Sequence, residues 1–148
     1  MNKVCDSMLG AIDDISDGAT VLISGFSGAG VPEGLIDALV EHGAKNLTLV
    51  HNNAGNARRG VARLLATGQV RKIICSFPRS WESQVFEELY NAGKVELECV
   101  PQGTLAERLR AGGSGLGGFF TPTGFGTILA EGKETRIVQG RGYVLEEP

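Results

Sequence analysis

Thr20-Val21-Leu22-Ile23-Ser24-Gly25-Phe26-Ser27-Gly28-Ala29-Gly30-Val31-Pro32 opens on a short apolar run, passes through a glycine loop and ends on a proline. The β-branched start is too brief for a helix and predicts a buried strand. Glycine is tolerated where the backbone takes positive φ or approaches a neighbour closely, so Gly25, Gly28 and Gly30 mark a tight connection. Pro32 suits the first position of a helix, where an amide hydrogen would go unused. Leu35, Ile36, Leu39 and Val40 then supply one apolar helix face, which ends near Gly43. Strand, loop and helix together make the first part of a βαβ crossover.

The pattern recurs downstream, although the residues do not. Residues 47–50 read as a strand, 51–55 as its exit loop, and Val61, Leu64 and Leu65 as the buried face of a helix stopped by Gly68. Residues 73–77 predict a third strand. Trp81, Val85, Phe86 and Leu89 predict a third helix. In residues 94–100, Val95, Leu97 and Cys99 alternate with Glu96 and Glu98, which predicts a fourth strand with one wet face. Upstream, Met8, Leu9, Ile12 and Ile15 have helical spacing. Thr104-Leu105-Ala106-Glu107 reads as a capping box opening a helix that fails at Gly112. A glycine-rich irregular loop over 112–126 and a hairpin around Gly140-Arg141-Gly142 complete the chain. Alternating strands and helices imply a single α/β domain, with an open, mostly parallel sheet and helices on both faces. Such sheets bind ligands beyond the carboxyl ends of their strands. The loops expected to converge there are 24–30, Asn52 and Asn53, 76–78, and Gln102 with Gly103.

Composition excludes several classes. With 148 residues, 42% hydrophobic and 21% charged, the chain can build one core without disulfide or metal. A net charge of −3 and no basic stripe argue against a nucleic-acid partner. No apolar run approaches the ~20 residues of a membrane span, and the charged N-terminus lacks a signal-peptide core, so cytoplasmic residence is expected. Cys5, Cys75 and Cys99 have no zinc-type spacing; Cys75 and Cys99 read as small core residues.

The loop chemistry is narrower. The glycines at 25, 28 and 30 are spaced GxxGxG, not GxGxxG, and no acid stands at the end of the second strand, which argues against a dinucleotide. Backbone N–H groups in loop 24–30 can hold a phosphate, a carboxylate or an oxyanion; alternatively its glycines serve only strand-to-helix packing. Asn52, Asn53 and Gln102 carry neutral donors and acceptors suited to orienting a carbonyl, and the two asparagines equally suit turns. His51 has no sequence-adjacent carboxylate and reads as a packed residue. Glu33, Glu82, Glu87, Glu88 and Glu107 read as helix-surface acids, and Arg58-Arg59 as a solvated helix end or, alternatively, as a contact to the phosphates of a ligand. A binding site emerges without a nucleophile or an acid–base pair, so the chain is a binding module or another chain supplies the catalyst.

The stretch from Asp17 to Pro32 resembles the first signature of the family I 3-oxoacid coenzyme A transferases. NNAGN at 52–56, PQGTLAER at 101–108 and TPTGFGT at 121–127 follow in the order of that family's A (alpha) subunits. The resemblance implies transfer of CoA from succinyl-CoA to a 3-oxo acid, 3-oxoadipate ahead of acetoacetate, by a ping-pong route through a glutamyl-CoA thioester. No metal and no permanently bound cofactor is implied, since the CoA thioester is a substrate. The nucleophilic glutamate is implied on a B (beta) subunit, in an A2B2 assembly, and no catalytic residue on this chain. Ser24, Gly25, Phe26, Ser27, Gly28, Ala29 and Gly30 are implied to contact CoA or the acyl group. Asn52 and Asn53 are implied to line the acyl site, and Gln102 to hold the substrate or oxyanion. Arg58 and Arg59 would pair with the extra carboxylate of 3-oxoadipate if they reach the site. Ser24 stands where the family usually has glycine, which implies either a strained backbone or an added hydroxyl donor. The family's A chains also run on by roughly half this chain's length, so an incomplete C-terminal part and an open sheet edge are expected. The alternative reading is a non-catalytic small-molecule sensor on a related scaffold.

Overall fold

Leu47–Val50 is buried along its whole length, and the first half of the fold is built around it. The computed structural model describes residues 3–148, which form two compact units divided between Cys99 and Val100. In the first unit the elements run β1 (Thr20–Leu22), α1 (Glu33–His42), β2 (Leu47–Val50), α2 (Val61–Ala66), β3 (Val70–Cys75), α3 (Gln84–Asn91) and β4 (Glu96–Cys99). The four strands are parallel and lie in the order β1-β2-β3-β4.

The expected α/β class and parallel sheet are therefore present, with a more specific layout than helices on both faces. The strand order never reverses, so crossovers of the usual right hand fall on one side. Accordingly, α1 packs on α2 and α2 on α3. Leu47, Leu49, Ile73, Leu64 and Leu65 are completely or almost completely buried between sheet and helices. A buried glutamine, which no periodicity signals, fixes the helix row to the sheet. Gln69 Nε2 donates to the carbonyls of Leu39 (2.9 Å) and Ala44 (3.1 Å), closing the end of α1.

Several expectations fail for identifiable reasons. β1 is an edge strand, and Leu22 is 59% exposed where a buried strand was expected. Residues 6–14 form turns in place of a helix. Ser7 Oγ accepts the Gly10 N–H (3.0 Å) and its carbonyl the Ala11 N–H (3.1 Å), but this single turn does not continue as a helix. Trp81 precedes α3 and is 83% exposed, while Phe86 anchors that helix. Cys75 is buried as expected, but Cys99 is exposed on β4, the opposite edge strand.

The second unit holds α4 (Gln102–Gly113) and a separate antiparallel sheet of β5 (Phe119–Thr121), β7 (Arg141–Glu146) and β6 (Thr135–Val138), in that order. The expected capping box is not formed. The helix begins at Gln102 after Pro101, so Thr104 lies inside its first turn, with its Oγ1 buried and unbonded. The β6–β7 hairpin is present, turning at Gln139-Gly140, both at positive φ as a two-residue hairpin loop favours. Glu146, only 4% exposed, accepts hydrogen bonds from Arg108 (3.0 and 2.5 Å) and Lys133 (2.7 Å) and is the ionic centre of this unit.

Candidate functional site

Two strand exits of the first unit use the same device. After β1, Phe26 and Ala29 exchange both backbone hydrogen bonds (2.9 Å each) around Ser27-Gly28. After β2, Asn56 and Arg59 form an equivalent bridge around Ala57-Arg58, in which the Arg59 N–H donates to the Asn56 carbonyl (3.1 Å). Each turn is followed by Gly-Val and then a helix. A close-packed glycine precedes each turn. A Cβ on Gly25 (φ 125°) would lie 2.4 Å from Val31 Cγ2, and one on Gly55 (φ 85°) 2.5 Å from the Ala62 nitrogen. No side chain fits at either position.

Between the two turns lies a cavity of about 350 Å³. The first turn contributes Ser27 and Gly28, the second Asn56, Ala57, Arg59 and Gly60, and His51, Asn53, Glu33 and Glu82 complete the polar lining. Glu33 links the halves, because its Oε2 accepts the Gly60 N–H at 3.0 Å. The loop after β3 is tied to the second turn. The Ala57 N–H donates to the Glu82 carbonyl (2.7 Å), and Ser80 Oγ donates to the Gly55 carbonyl (3.3 Å) and hydrogen-bonds Asn56 Oδ1.

Within the expected loop, Ser27 and Gly28 reach the cavity; Ser24, Gly25, Phe26, Ala29 and Gly30 are not among its lining residues. The Phe26 and Ala29 amides are consumed by their mutual bridge, so the loop is a hairpin and not an open row of donors. Ser24 is not strained: its φ is not positive, and its hydroxyl donates to the Gly30 carbonyl (3.0 Å), tying the loop's ends together. Asn53 is buried in the cavity wall, its Oδ1 accepting the Gly55 N–H (2.8 Å), which leaves its amide hydrogens as donors. Asn52 lies beside it without lining the cavity, its carbonyl accepting the N–H groups of Ser76 (3.2 Å) and Phe77 (3.1 Å). The asparagines thus do serve as turn and loop formers. Gln102 is the exposed first residue of α4 in the second unit.

His51, Glu33 and Glu82 line the cavity, although from sequence they read as packed or helix-surface groups. His51 is buried, and its Nδ1 lies 2.8 Å from the Ile23 carbonyl. That geometry makes Nδ1 the protonated nitrogen and leaves Nε2 to accept. Burial holds its pKa below the usual 6.5, and the Ile23 bond offsets this only in part. A histidine buried neutral must charge on unfolding, so its stability contribution is complete above about 6.5 and declines as pH falls from there towards its lower folded value. Denaturant unfolding between pH 7.5 and 5 is expected to show that decline, and His51→Asn, which keeps a donor towards Ile23, should flatten it.

Backbone strain collects around the same cavity. Ser27, Ala57 and Glu82 have left-handed φ of 47°, 51° and 61°, and all three line it. A left-handed β-branched residue is the most strained of all. Ala57→Val is therefore expected to lower the unfolding free energy by about 1–3 kcal/mol, with Ala57→Gly equal to or above the parent in a urea midpoint. Cys75 is set apart from any chemistry here: burial, then the neighbouring Cys99, push its thiol up to about 12.

Among the described residues, no group of three or more His, Cys, Asp or Glu is placed to hold a metal, and no helix is long and apolar enough to cross a membrane. Residues 6–148 match the family described as coenzyme A transferase. Over its whole length the chain is 58% identical to the A subunit of 3-oxoadipate CoA-transferase from Pseudomonas putida, and it spans 64% of that protein. It is 52% identical over 132 residues to the A subunit of succinyl-CoA:3-ketoacid coenzyme A transferase from Xanthomonas campestris, spanning 54% of it. Among solved structures, glutaconate coenzyme A-transferase from Acidaminococcus fermentans superposes with a TM-score of 0.81 at 16% identity, over 95% of this chain and 52% of that one. The decarboxylase AibA/AibB superposes with a TM-score of 0.80 at 22% identity, over 95% of this chain and 56% of that one, so the shared fold alone does not decide the reaction.

Proposed function

Because the chain belongs to the coenzyme A transferase family, we propose that it is the A-chain part of an enzyme moving CoA from succinyl-CoA to a 3-oxo acid, with 3-oxoadipate the preferred acceptor and acetoacetate next. The observation that carries this reading is the cavity at the carboxyl ends of β1 and β2, built from two matching turns and lined by neutral donors, the Arg59 guanidinium and the carboxylates of Glu33 and Glu82. A site of that kind orients an acid and its thioester. That the relatives in Pseudomonas putida and Xanthomonas campestris are the A chains of their enzymes supports a second, B chain here. In this reading the B subunit brings the glutamate whose carboxylate attacks the succinyl-CoA carbonyl, breaking the C–S bond to give a mixed anhydride and CoA thiolate. The thiolate then attacks the glutamyl carbonyl, releasing succinate and leaving enzyme-bound glutamyl-CoA. The acceptor carboxylate attacks that thioester to give a second mixed anhydride and CoA thiolate, and the thiolate attacks the acceptor's acyl carbonyl, forming the acceptor's CoA thioester and freeing the glutamate. The assembly is A2B2 in the cytoplasm, and CoA enters and leaves as substrate.

Loop 24–30 contacts CoA or the acyl group through Ser27 and Gly28, Asn53 donates towards the acyl carbonyl, Asn52 holds the loop that carries it, and Gln102 binds the substrate or oxyanion. Transfer from succinyl-CoA to each acid, measured with the full protein alone and then with the B subunit, tests the proposal. Activity only in the mixture is expected. CoA binding without turnover, with a B subunit that is competent beside its own partner, would favour the sensor reading.

A further inference from the structure

Arg58 and Arg59 are adjacent in sequence but not equivalent in the fold. Arg58 sits in the turn between the bridged residues Asn56 and Arg59, whereas Arg59 lines the cavity. Arg63, Arg79, Arg108, Arg110 and Arg136 each hold a carboxylate, yet among the described residues the Arg59 side chain makes no hydrogen bond or ion pair. The cavity also carries two carboxylates, Glu33 and Glu82, of which Glu33 is engaged with the Gly60 N–H.

This charge arrangement constrains what enters. A 3-oxo acid with one carboxylate presents it to the transfer chemistry and has nothing charged left to lodge. A dicarboxylic acid must place a second negative charge, and Glu33 and Glu82 repel it. A guanidinium offers a planar fork of donors matching a carboxylate, and here no internal partner has to be displaced. At about 350 Å³ the cavity is at the small end of ligand sites, suited to a short acid tail.

We infer that Arg59 admits the distal carboxylate of the acceptor and so makes the cavity selective for dicarboxylic over monocarboxylic 3-oxo acids. The inference rests on the CoA-transferase reading above and adds to it the residue that chooses the acceptor. Arg58 takes no part.

The test is kcat/KM for 3-oxoadipate and for acetoacetate in the full protein with its B subunit, for the parent, Arg59→Gln, Arg59→Lys and Arg58→Gln. In Arg59→Gln the ratio of 3-oxoadipate to acetoacetate should fall about 10- to 100-fold, chiefly through KM for 3-oxoadipate, since a charge-assisted pair is lost. Arg59→Lys, which keeps the charge without the fork, should fall between. Arg58→Gln should keep the parent's ratio. A ratio unchanged within about twofold in Arg59→Gln, equal losses on both acids, or a shift carried by Arg58→Gln would overturn the inference. If the parent transfers CoA to neither acid, the transferase reading itself fails. The inference is then judged by calorimetric titration with 3-oxoadipate: binding weakened about tenfold or more in Arg59→Gln upholds it, and equal or absent binding overturns it.

Discussion

Gln102→Leu is expected to lower kcat for CoA transfer by about 100-fold or more, the usual cost of losing one oriented donor to a developing oxyanion, which is the role proposed for Gln102. Gln102 is the exposed first residue of α4, and leucine is an equally good helix former, so the substitution should lower turnover more than folding stability. KM should move less than kcat, because the interaction strengthens only as negative charge develops. Single-turnover kinetics beside a denaturant titration separates the cases. A normal kcat removes Gln102 from the site, and a parallel loss of rate and stability makes it structural.

The largest stability effect is expected at Glu146. Burial alone would push its pKa up, but hydrogen bonds and charge from Lys133 and Arg108 outweigh that and hold it below the usual 4.5. Glu146→Ala takes the carboxylate from two partly buried cations, with Arg108 17% and Lys133 32% exposed, and should cost about 3–5 kcal/mol. A depressed carboxylate pKa places the pH dependence on the acid side. The stabilisation is complete above about 4.5 and is lost as pH falls through the lower folded value. Glu146→Gln retains some acceptors and should remove the acid-side slope while costing less at neutral pH. An unaltered slope would show that Glu146 does not carry it.

How much of the molecule is legible in its sequence follows from where each signal resides. β2 and the buried face of α2 are legible because Leu47, Leu49, Val61, Leu64 and Leu65 obey local periodicity and are buried by it. The edge position of β1 is not, since a strand's neighbours are set by topology, and Leu22 looks the same in the middle of a sheet as at its margin. The site is legible only in part: of the loop residues singled out after β1 and β2, Ser27, Gly28 and Asn53 line one cavity, whereas Gly25, Gly30 and Asn52 do not. Its charged members are not legible. Glu33 looks like a helix-surface acid because nothing local announces that Gly60, far along the chain, needs an acceptor. Glu82 looks like a helix acid because nothing local announces its left-handed φ of 61° or that its carbonyl accepts the Ala57 N–H. His51 has no neighbouring carboxylate to recommend it, but a backbone carbonyl, Ile23, orients it.

The unreversed order β1-β2-β3-β4 also bears on how the chain acquires its shape. Each strand docks on the one made immediately before it, across a single intervening helix. A nascent chain leaving the ribosome N-terminus first therefore never waits for a later strand to be inserted between earlier ones. Growth is vectorial. Each added βα unit covers the open edge of the strand before it and creates the next, while the outer edge of β1 stays open throughout.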